Sequence, residues 1–138
     1  MPCPPLSYST LSALSTTYAP TKPIYVLNLW KYRDNASYLP EHANIAGEPC
    51  TGREALQRYI TAFRPLIPSG AAIHFKSLPV AVISGAEGEE WDFVAINKYP
   101  TLESFMKIVE SKEYREGCAG HRMAGLEECK LVVLDQLE

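Results

Sequence analysis

WDFVAINKYPTLESFMKIVESKEYREGCAGHRMAGLEECKLVVLD, residues 91–135, is the stretch that decides the fold. It begins with a run, residues 91–99, that is apolar on both faces, as a strand covered on two sides should be. Thr101 is a good N-cap for the helix that follows. The buried face of that helix is predicted to be Leu102, Phe105, Met106 and Val109. Gly117, Gly120 and Gly125 then interrupt the chain before a closing strand at residues 130–136.

The first half of the chain repeats this order of strand, helix and strand. Residues 24–32, IYVLNLWKY, are rich in β-forming residues. Thr51 and Glu54 have the spacing of a capping box, which opens a helix that Pro65 kinks or ends. The apolar face of this helix is predicted to be Leu56, Tyr59, Ile60, Phe63 and Ile67. A second strand is predicted at residues 71–84, with Pro79 marking a bulge or an edge position, and an acidic hairpin loop follows.

An N-terminal arm, residues 1–23, is predicted to precede one domain, residues 24–138. Leu11, Leu14 and Tyr18 lie at helical spacing, which indicates a short helix in the arm. Pro20 and Pro23 end that helix before the first strand begins. A chain of 138 residues has the size of a single domain with one core.

The order β-α-β-β-α-β predicts an α+β protein with the ferredoxin-like plan. Right-handed crossovers place both long helices on one face of the sheet and leave the other face uncovered. The first strand is nevertheless apolar on both sides, so the second face needs a cover as well. The economical solution is a two-fold homodimer with the sheets packed face to face, which forms a dimeric α+β barrel.

Composition argues against several classes of partner. The net charge is −3, with acids and bases interspersed, so we expect no nucleic acid partner. No apolar run approaches the roughly 20 residues of a membrane span, so we expect no membrane association. No Lys or Arg precedes Lys22 and no apolar leader is present, which argues against a secretory signal.

The four cysteines have no C-x-x-C spacing, and we interpret them as free thiols of a cytoplasmic protein. A disulfide between Cys118 and Cys129 is the less favoured alternative.

Four strings carry a resemblance to a known family: YVLNLWKYRD, GEPCTGREALQRY, EEWDFVAINKYP and SKEYREGCAGHRMAGLEECKLV. Together, in this order, they resemble the DUF1330-like group of dimeric α+β-barrel proteins over about residues 24–135. The resemblance implies a ferredoxin-like protomer, a barrel-forming dimer, and a pocket between the sheet and the helices of each protomer. The wider superfamily includes cofactor-independent monooxygenases, polyketide cyclases, isomerases and haem-degrading enzymes.

His121 and Arg122 are the first candidates for catalysis. A neutral imidazole can take or give a proton near pH 7, and a neighbouring Arg can hold an enolate or a carboxylate. The alternative is a structural pair, in which His121 caps a helix end and Arg122 bonds Glu127 or Glu128. His74, in the second strand, is a further acid–base candidate, although a strand His is more often a half-exposed surface residue.

The candidate binding shell consists of two polar residues in otherwise apolar strands and of aromatic residues from the strands and helices. Asn28 and Asn97 interrupt two apolar strands, and buried amides must be hydrogen-bonded to the protein or to a ligand. An aromatic wall for a planar ligand is predicted from six residues, with Tyr59 the best candidate: Trp30, Tyr59, Phe63, Trp91, Phe93 and Phe105. Tyr114 and Arg64 are weaker candidates. The alternative is that these aromatic side chains only fill the core.

We expect no metal and no cofactor, because the three His residues are far apart and lack a recognised ligand spacing. A single haem ligand stays open, since one His suffices for that role. The leading hypothesis is a small cofactor-independent cyclase, isomerase or monooxygenase that uses acid–base chemistry on an apolar, aromatic or polyketide-like molecule. The alternative is a non-catalytic, stress-associated dimer that binds a small ligand.

Overall fold

The computed structural model describes residues 3–137. Within them a single antiparallel sheet has the strand order β2-β3-β1-β4. The strands are β1 (Ile24–Tyr32), β2 (Ala72–Ser77), β3 (Phe93–Tyr99) and β4 (Leu126–Leu134). This is the α+β, ferredoxin-like arrangement that the doubled strand–helix–strand order predicts, with β1 at the centre between β3 and β4.

The helices of the described chain are α1 (Tyr8–Ser15), α2 (Ala43–Ala46), α3 (Gly52–Phe63), α4 (Leu102–Val109), α5 (Lys112–Gly117) and α6 (Ala119–Gly125). Both predicted caps of the long helices are confirmed. The Thr51 hydroxyl accepts from the Glu54 backbone N–H at 3.1 Å, and the Glu54 carboxylate accepts from the Thr51 N–H at 2.9 Å. Thr101 caps α4 in the same reciprocal way with Ser104. Each cap satisfies backbone donors that the first helical turn leaves unpaired.

The main core lies between one sheet face and helices α1, α3, α4 and α5. Ile24 and Val26 project from β1 into it, because alternate residues of a strand share a face. They join a buried cluster with Leu11, Tyr99, Leu102, Phe105, Ile108, Val109, Tyr114 and Cys118. The N-terminal arm is therefore part of the core, since Leu11 is buried and the Tyr8 hydroxyl donates to the Val109 carbonyl at 2.8 Å.

The other sheet face carries apolar side chains with no helix over them in the described part of the chain. Leu27 of β1 lies between Ile96 of β3 and Val132 of β4 in the strand register. Phe75 of β2 pairs with Ile96 on the same face and is 54% exposed. An exposed apolar surface of this kind usually marks a contact with another molecule.

Strand β2 differs from its prediction in length and in regularity. It ends at Ser77, whereas the sequence pattern extended it to residue 84. Pro79 lacks the N–H that a ladder needs, and the apolar residues beyond it are exposed: Leu78, Val80 and Ile83. The register also shifts between Ile73 and Phe75, so His74 is the extra residue of a bulge.

The glycine-rich segment is helical, which was not predicted. Helices α5 and α6 occupy residues 112–125, and β4 begins at Leu126 rather than at residue 130. Gly125 allows α6 to pack closely on α3, since a β-carbon there would lie 2.2 Å from Leu56 Cδ2 and 2.6 Å from the Gly52 carbonyl oxygen. Gly125 thus permits two helix backbones to approach closely, whereas the sequence pattern predicted that the glycines interrupt regular structure.

The cysteines correct the sequence interpretation. Cys3 and Cys129 form a disulfide across 126 residues of sequence, so the expectation of four free thiols is wrong, and Cys129 does not pair with Cys118. Cys50 and Cys118 are free. The bond ties the N-terminal arm to β4, where Cys3 packs with Trp30, Leu56 and Leu126 in a second buried cluster. The cysteines therefore no longer support the prediction of a reducing, cytoplasmic location, because that prediction assumed four free thiols.

Between residues 3 and 137, no helix has the length and the apolar character needed to cross a bilayer.

We expect two reactive thiols, from Cys50 and Cys118, when the oxidised protein is denatured without reductant, and four after reduction. The Cys3→Ser/Cys129→Ser variant should unfold with a free energy lower by about 2–5 kcal/mol, because the disulfide closes a long loop in the unfolded chain. Thiol titration and urea unfolding measure these two quantities. Cys50→Ser is the matched control and should change stability little; four thiols in the unreduced protein would contradict the bond.

Candidate functional site

A cavity of about 400 Å³ lies between the helix-covered face of the sheet and α3, α4 and α5. Strand β1 contributes Val26, Asn28 and Trp30, which alternate along one face of the strand. Further lining residues come from α3 and the turn after it, from β2 and β3, and from the helices that follow: Tyr59, Phe63, Arg64, Ile73, Lys76, Ala95, Asn97, Phe105 and Tyr114. The sheet thus forms the floor of the cavity, and the helices cover it.

Aromatic rings form the inner wall of this cavity. The Trp30 ring lies 5.0 Å from that of Phe93 and 6.2 Å from that of Tyr59, measured between centroids. Tyr59 in turn contacts Phe63 at 5.7 Å and Tyr114 at 6.1 Å. These are ordinary distances for tilted and edge-to-face aromatic pairs. The wall presents ring faces and edges to the cavity, a surface suited to a planar apolar guest.

The Tyr59 and Tyr114 hydroxyls lie 3.1 Å apart at the cavity wall. Burial raises the pKa of both hydroxyls, that of Tyr59 well above its usual value, and the charge of Arg122 offsets only part of this rise. Both tyrosines are therefore protonated at neutral pH. One of them can donate to the other while the second proton remains available to a ligand.

Two further polar groups on the cavity floor are poorly satisfied. The indole N–H of Trp30 is buried and has no hydrogen-bond partner among the described residues. Within residues 3–137 the Asn28 amide donates only to the Val26 carbonyl, at 3.5 Å, which is a weak bond. The Trp30 nitrogen is shielded from the cavity by the surrounding side chains. An acceptor atom on a bound molecule would therefore be stabilised beside Asn28, which lines the cavity.

Arg122 is buried behind the cavity rather than in it. The residue is 3% exposed, and its guanidinium donates to Cys3 Sγ at 3.6 Å. No carboxylate of residues 3–137 lies within ion-pair distance of it. The predicted structural alternative, an ion pair with Glu127 or Glu128, is therefore not present. The positive charge acts on Tyr59 and Tyr114 across the intervening core.

His121 lies on the outer side of α6, away from the cavity lining. The Arg58 guanidinium donates to the Tyr38 hydroxyl at 3.5 Å, and Tyr38 lies 2.6 Å from His121 Nδ1. A tyrosine hydroxyl can accept two hydrogen bonds, so Tyr38 accepts from Arg58 and shares a second bond with His121 Nδ1, in which the tautomer of His121 sets the donor. Burial lowers the pKa of His121, and the nearby Arg58 and His42 lower it further. Through Tyr38, His121 holds residues 33–50 against α6.

His74 lies on the opposite face of the sheet. Its ring meets that of Tyr25 edge-on at a centroid distance of 4.9 Å, and the residue is exposed. The three predicted catalytic residues thus lie apart: His121 on α6 under residues 33–50, Arg122 in the core behind the cavity, and His74 on the uncovered sheet face. Six predicted binding residues, in contrast, all line the one cavity: Asn28, Trp30, Tyr59, Phe63, Asn97 and Tyr114. Phe93 and Phe105 of the predicted aromatic wall line it as well, whereas Trp91 does not.

Lys76 lines the cavity and was not predicted to do so. Simple alternation along β2 would place Lys76 on the face of His74. The bulge at His74 reverses this alternation, so Ile73 pairs with Asn97 and Lys76 pairs with Ala95, both on the cavity side. A bulge leaves no clear mark in a single sequence, and only the isolated His in an apolar strand hinted at an irregular position.

Solved structures of the same fold match this chain, among them two crystal structures of one protein. The crystal structure of the methylated RPA0582 protein has a TM-score of 0.81 and 27% identity, over 96% of this chain and 93% of that one. A crystal structure of RPA0582, described as a protein of unknown function from Rhodopseudomonas palustris, has a TM-score of 0.77 and 26% identity, over 96% and 95% of the two chains. No protein-family profile and no curated protein matches the chain.

We expect stability to fall as the pH drops below about 6.5, the ordinary pKa of an unfolded histidine. The pKa of His121 is lowered in the folded protein, so between the two values the unfolded chain binds the extra proton and is favoured. Melting temperatures between pH 8 and pH 5 measure this loss. His121→Asn, which keeps a hydrogen-bonding side chain for Tyr38 and does not titrate, should flatten the profile, whereas the exposed His74→Gln should not; identical profiles for all three proteins would refute the assignment.

Proposed function

We propose that this protein binds a small, largely apolar ligand with an aromatic ring system in the cavity between the sheet and α3, α4 and α5. The observation that carries the proposal is the cavity itself, about 400 Å³ in volume and walled by Trp30, Tyr59 and Phe63. Ligand sites are characteristically of this kind, an apolar chamber with a few convergent polar groups. The Asn28 amide and the Tyr59–Tyr114 hydroxyl pair supply those polar groups.

Binding without catalysis is the reading that the geometry supports better. An acid–base enzyme needs a proton acceptor within hydrogen-bond reach of its substrate. None of the described lining residues is His, Asp or Glu, and the tyrosines are protonated donors because burial raises their pKa. A cofactor-independent cyclase, isomerase or monooxygenase would have to operate with Tyr59 and Tyr114 as proton donors and without His121.

The proposal includes assembly as a homodimer of the DUF1330-like kind. The ferredoxin-like fold supports the resemblance on which that expectation rests. The uncovered sheet face supplies a suitable surface, since Leu27, Ile96 and Val132 lie side by side on it and Phe75 extends it to the edge strand. A second copy packed on this face would bury these side chains in a self-complementary contact.

The neutral probe 2-naphthamide should bind to the protein and raise its melting temperature, because its ring system matches the aromatic wall. Ala95→Phe, which fills the cavity from β3, should weaken binding at least about tenfold, a loss of about 1.4 kcal/mol. Isothermal titration calorimetry measures the affinity, and circular dichroism verifies that the variant is folded. Ala86→Phe adds the same side chain in an exposed loop and should bind normally. Undiminished binding by Ala95→Phe would place the site elsewhere.

Light scattering should give twice the 15.4 kDa mass of the chain at micromolar concentration. Val132→Glu should shift the protein to the monomer, because a buried unpaired carboxylate on the sheet face is costly. Leu137→Glu is the control, since it places the same charge on a residue that is 88% exposed. A monomeric parent protein would exclude this assembly without affecting the ligand proposal.

A further inference from the structure

The charged residues at the cavity are all of one sign. Arg64, Lys76 and Lys98 contribute to the lining, and no Asp or Glu does so. The chain as a whole has 16 acids against 13 Lys and Arg, so this distribution does not follow from composition. A site lined by one sign of charge with low-dielectric walls concentrates counter-ions of the opposite sign.

Two of these cations are available to a ligand. Neither Arg64 nor Lys76 has a carboxylate within ion-pair distance among residues 3–137, whereas Lys22, Lys31, Lys107 and Lys112 each have one. Lys98 differs, because its ammonium group lies 5.8 Å from the centre of the Tyr25 ring on the other side of the sheet. The unpaired charges that meet the cavity are therefore those of Arg64, after α3, and Lys76, on β2.

Their position favours an anion at the mouth of the cavity. Both residues are exposed, whereas Trp30 and Tyr114 at the aromatic end are buried. A carboxylate buried completely among the rings would lose its hydration at great cost, but one at the rim keeps water and gains charge-assisted hydrogen bonds. Arg122, buried behind the tyrosine pair without a carboxylate partner, adds positive potential from the inner side.

We propose that the ligand is an aromatic acid in its anionic form, with its ring system against Trp30 and Tyr59 and its carboxylate between Arg64 and Lys76. This inference rests on the proposed ligand-binding function and names the chemical class of the ligand. A guanidinium and an ammonium group that line the same cavity can bind the two oxygens of one carboxylate. The Tyr59–Tyr114 hydroxyl pair then meets any oxygen substituent at the far end of the ring.

The test compares 2-naphthoate with 2-naphthamide, which has the same shape without the charge, by calorimetry at pH 7.5. We expect the acid to bind about tenfold more tightly at low salt, and its advantage to shrink as ionic strength rises. Arg64→Gln/Lys76→Gln should remove the advantage, read as the ratio of the two affinities in the same variant. Lys112→Gln, which removes a charge on α5 that is paired with Glu116, is the control and should keep the advantage.

The possible failures are distinguishable. If neither probe binds, the ligand-binding proposal itself fails. If both bind with equal affinity, the cavity takes aromatic molecules without regard to charge, and the anionic class is overturned. If the acid keeps its advantage in the double variant, the carboxylate does not lie between Arg64 and Lys76, and the assigned orientation is wrong.

Discussion

The pairing of β1 with β3 on one side and β4 on the other is the constraint on which the rest of the structure depends. Asn28 stands opposite Ala95 in one register and opposite Leu131 in the other, and all three residues line the cavity. Because side chains alternate along a strand, a one-residue slip would move Val26, Asn28 and Trp30 to the uncovered face and bring Leu27 and Leu29 inward. The cavity floor is thus set by strand register.

Close backbone contacts fix the roof over this floor. The Gly52 N–H donates to the Arg33 carbonyl at 3.1 Å, and the Arg33 N–H donates to the Gly125 carbonyl at 2.8 Å, which joins α3, the chain after β1 and α6. A β-carbon on Gly52 would lie 2.2 Å from the Arg33 carbonyl oxygen, so no larger residue fits there without moving the helix. This contact holds the first turn of α3, and Tyr59 and Phe63 follow on the next two turns of that helix.

The parts of the fold that the sequence predicted are those decided by local chemistry. β1 has its predicted bounds, and α3 and α4 begin at their predicted caps, because alternation and reciprocal capping act over a few residues. The six residues of the predicted binding shell line one cavity for the same reason, since each stands on a strand or helix face that its own period indicates. Their role in binding stays a prediction.

The features that the sequence did not predict depend on contacts between distant residues or on irregular local geometry. The Cys3–Cys129 bond joins residues from opposite ends of the chain, which spacing does not disclose. The bulge at His74 places Lys76 on the cavity side of β2. His121 and Arg122 are adjacent in sequence, but because α6 is a helix they face different parts of the protein: His121 contacts Tyr38, and Arg122 contacts Cys3. Neighbours on a helix are separated by about 100° around its axis, so adjacent polar residues there seldom serve one site.

The composition of the lining supports a functional reason for the cavity. Protein interiors are normally packed without large voids, and a larger side chain at a small-residue position fills space and gains dispersion contacts. Ala72 and Ala95 line this cavity from the strands, where β-branched residues would be the stronger strand formers and would fill part of the volume. The Asn28 amide on the same floor has only one weak bond among the described residues. The unfilled volume and the weakly bonded amide both cost stability in the empty protein, and a bound aromatic molecule with an acceptor atom would compensate both.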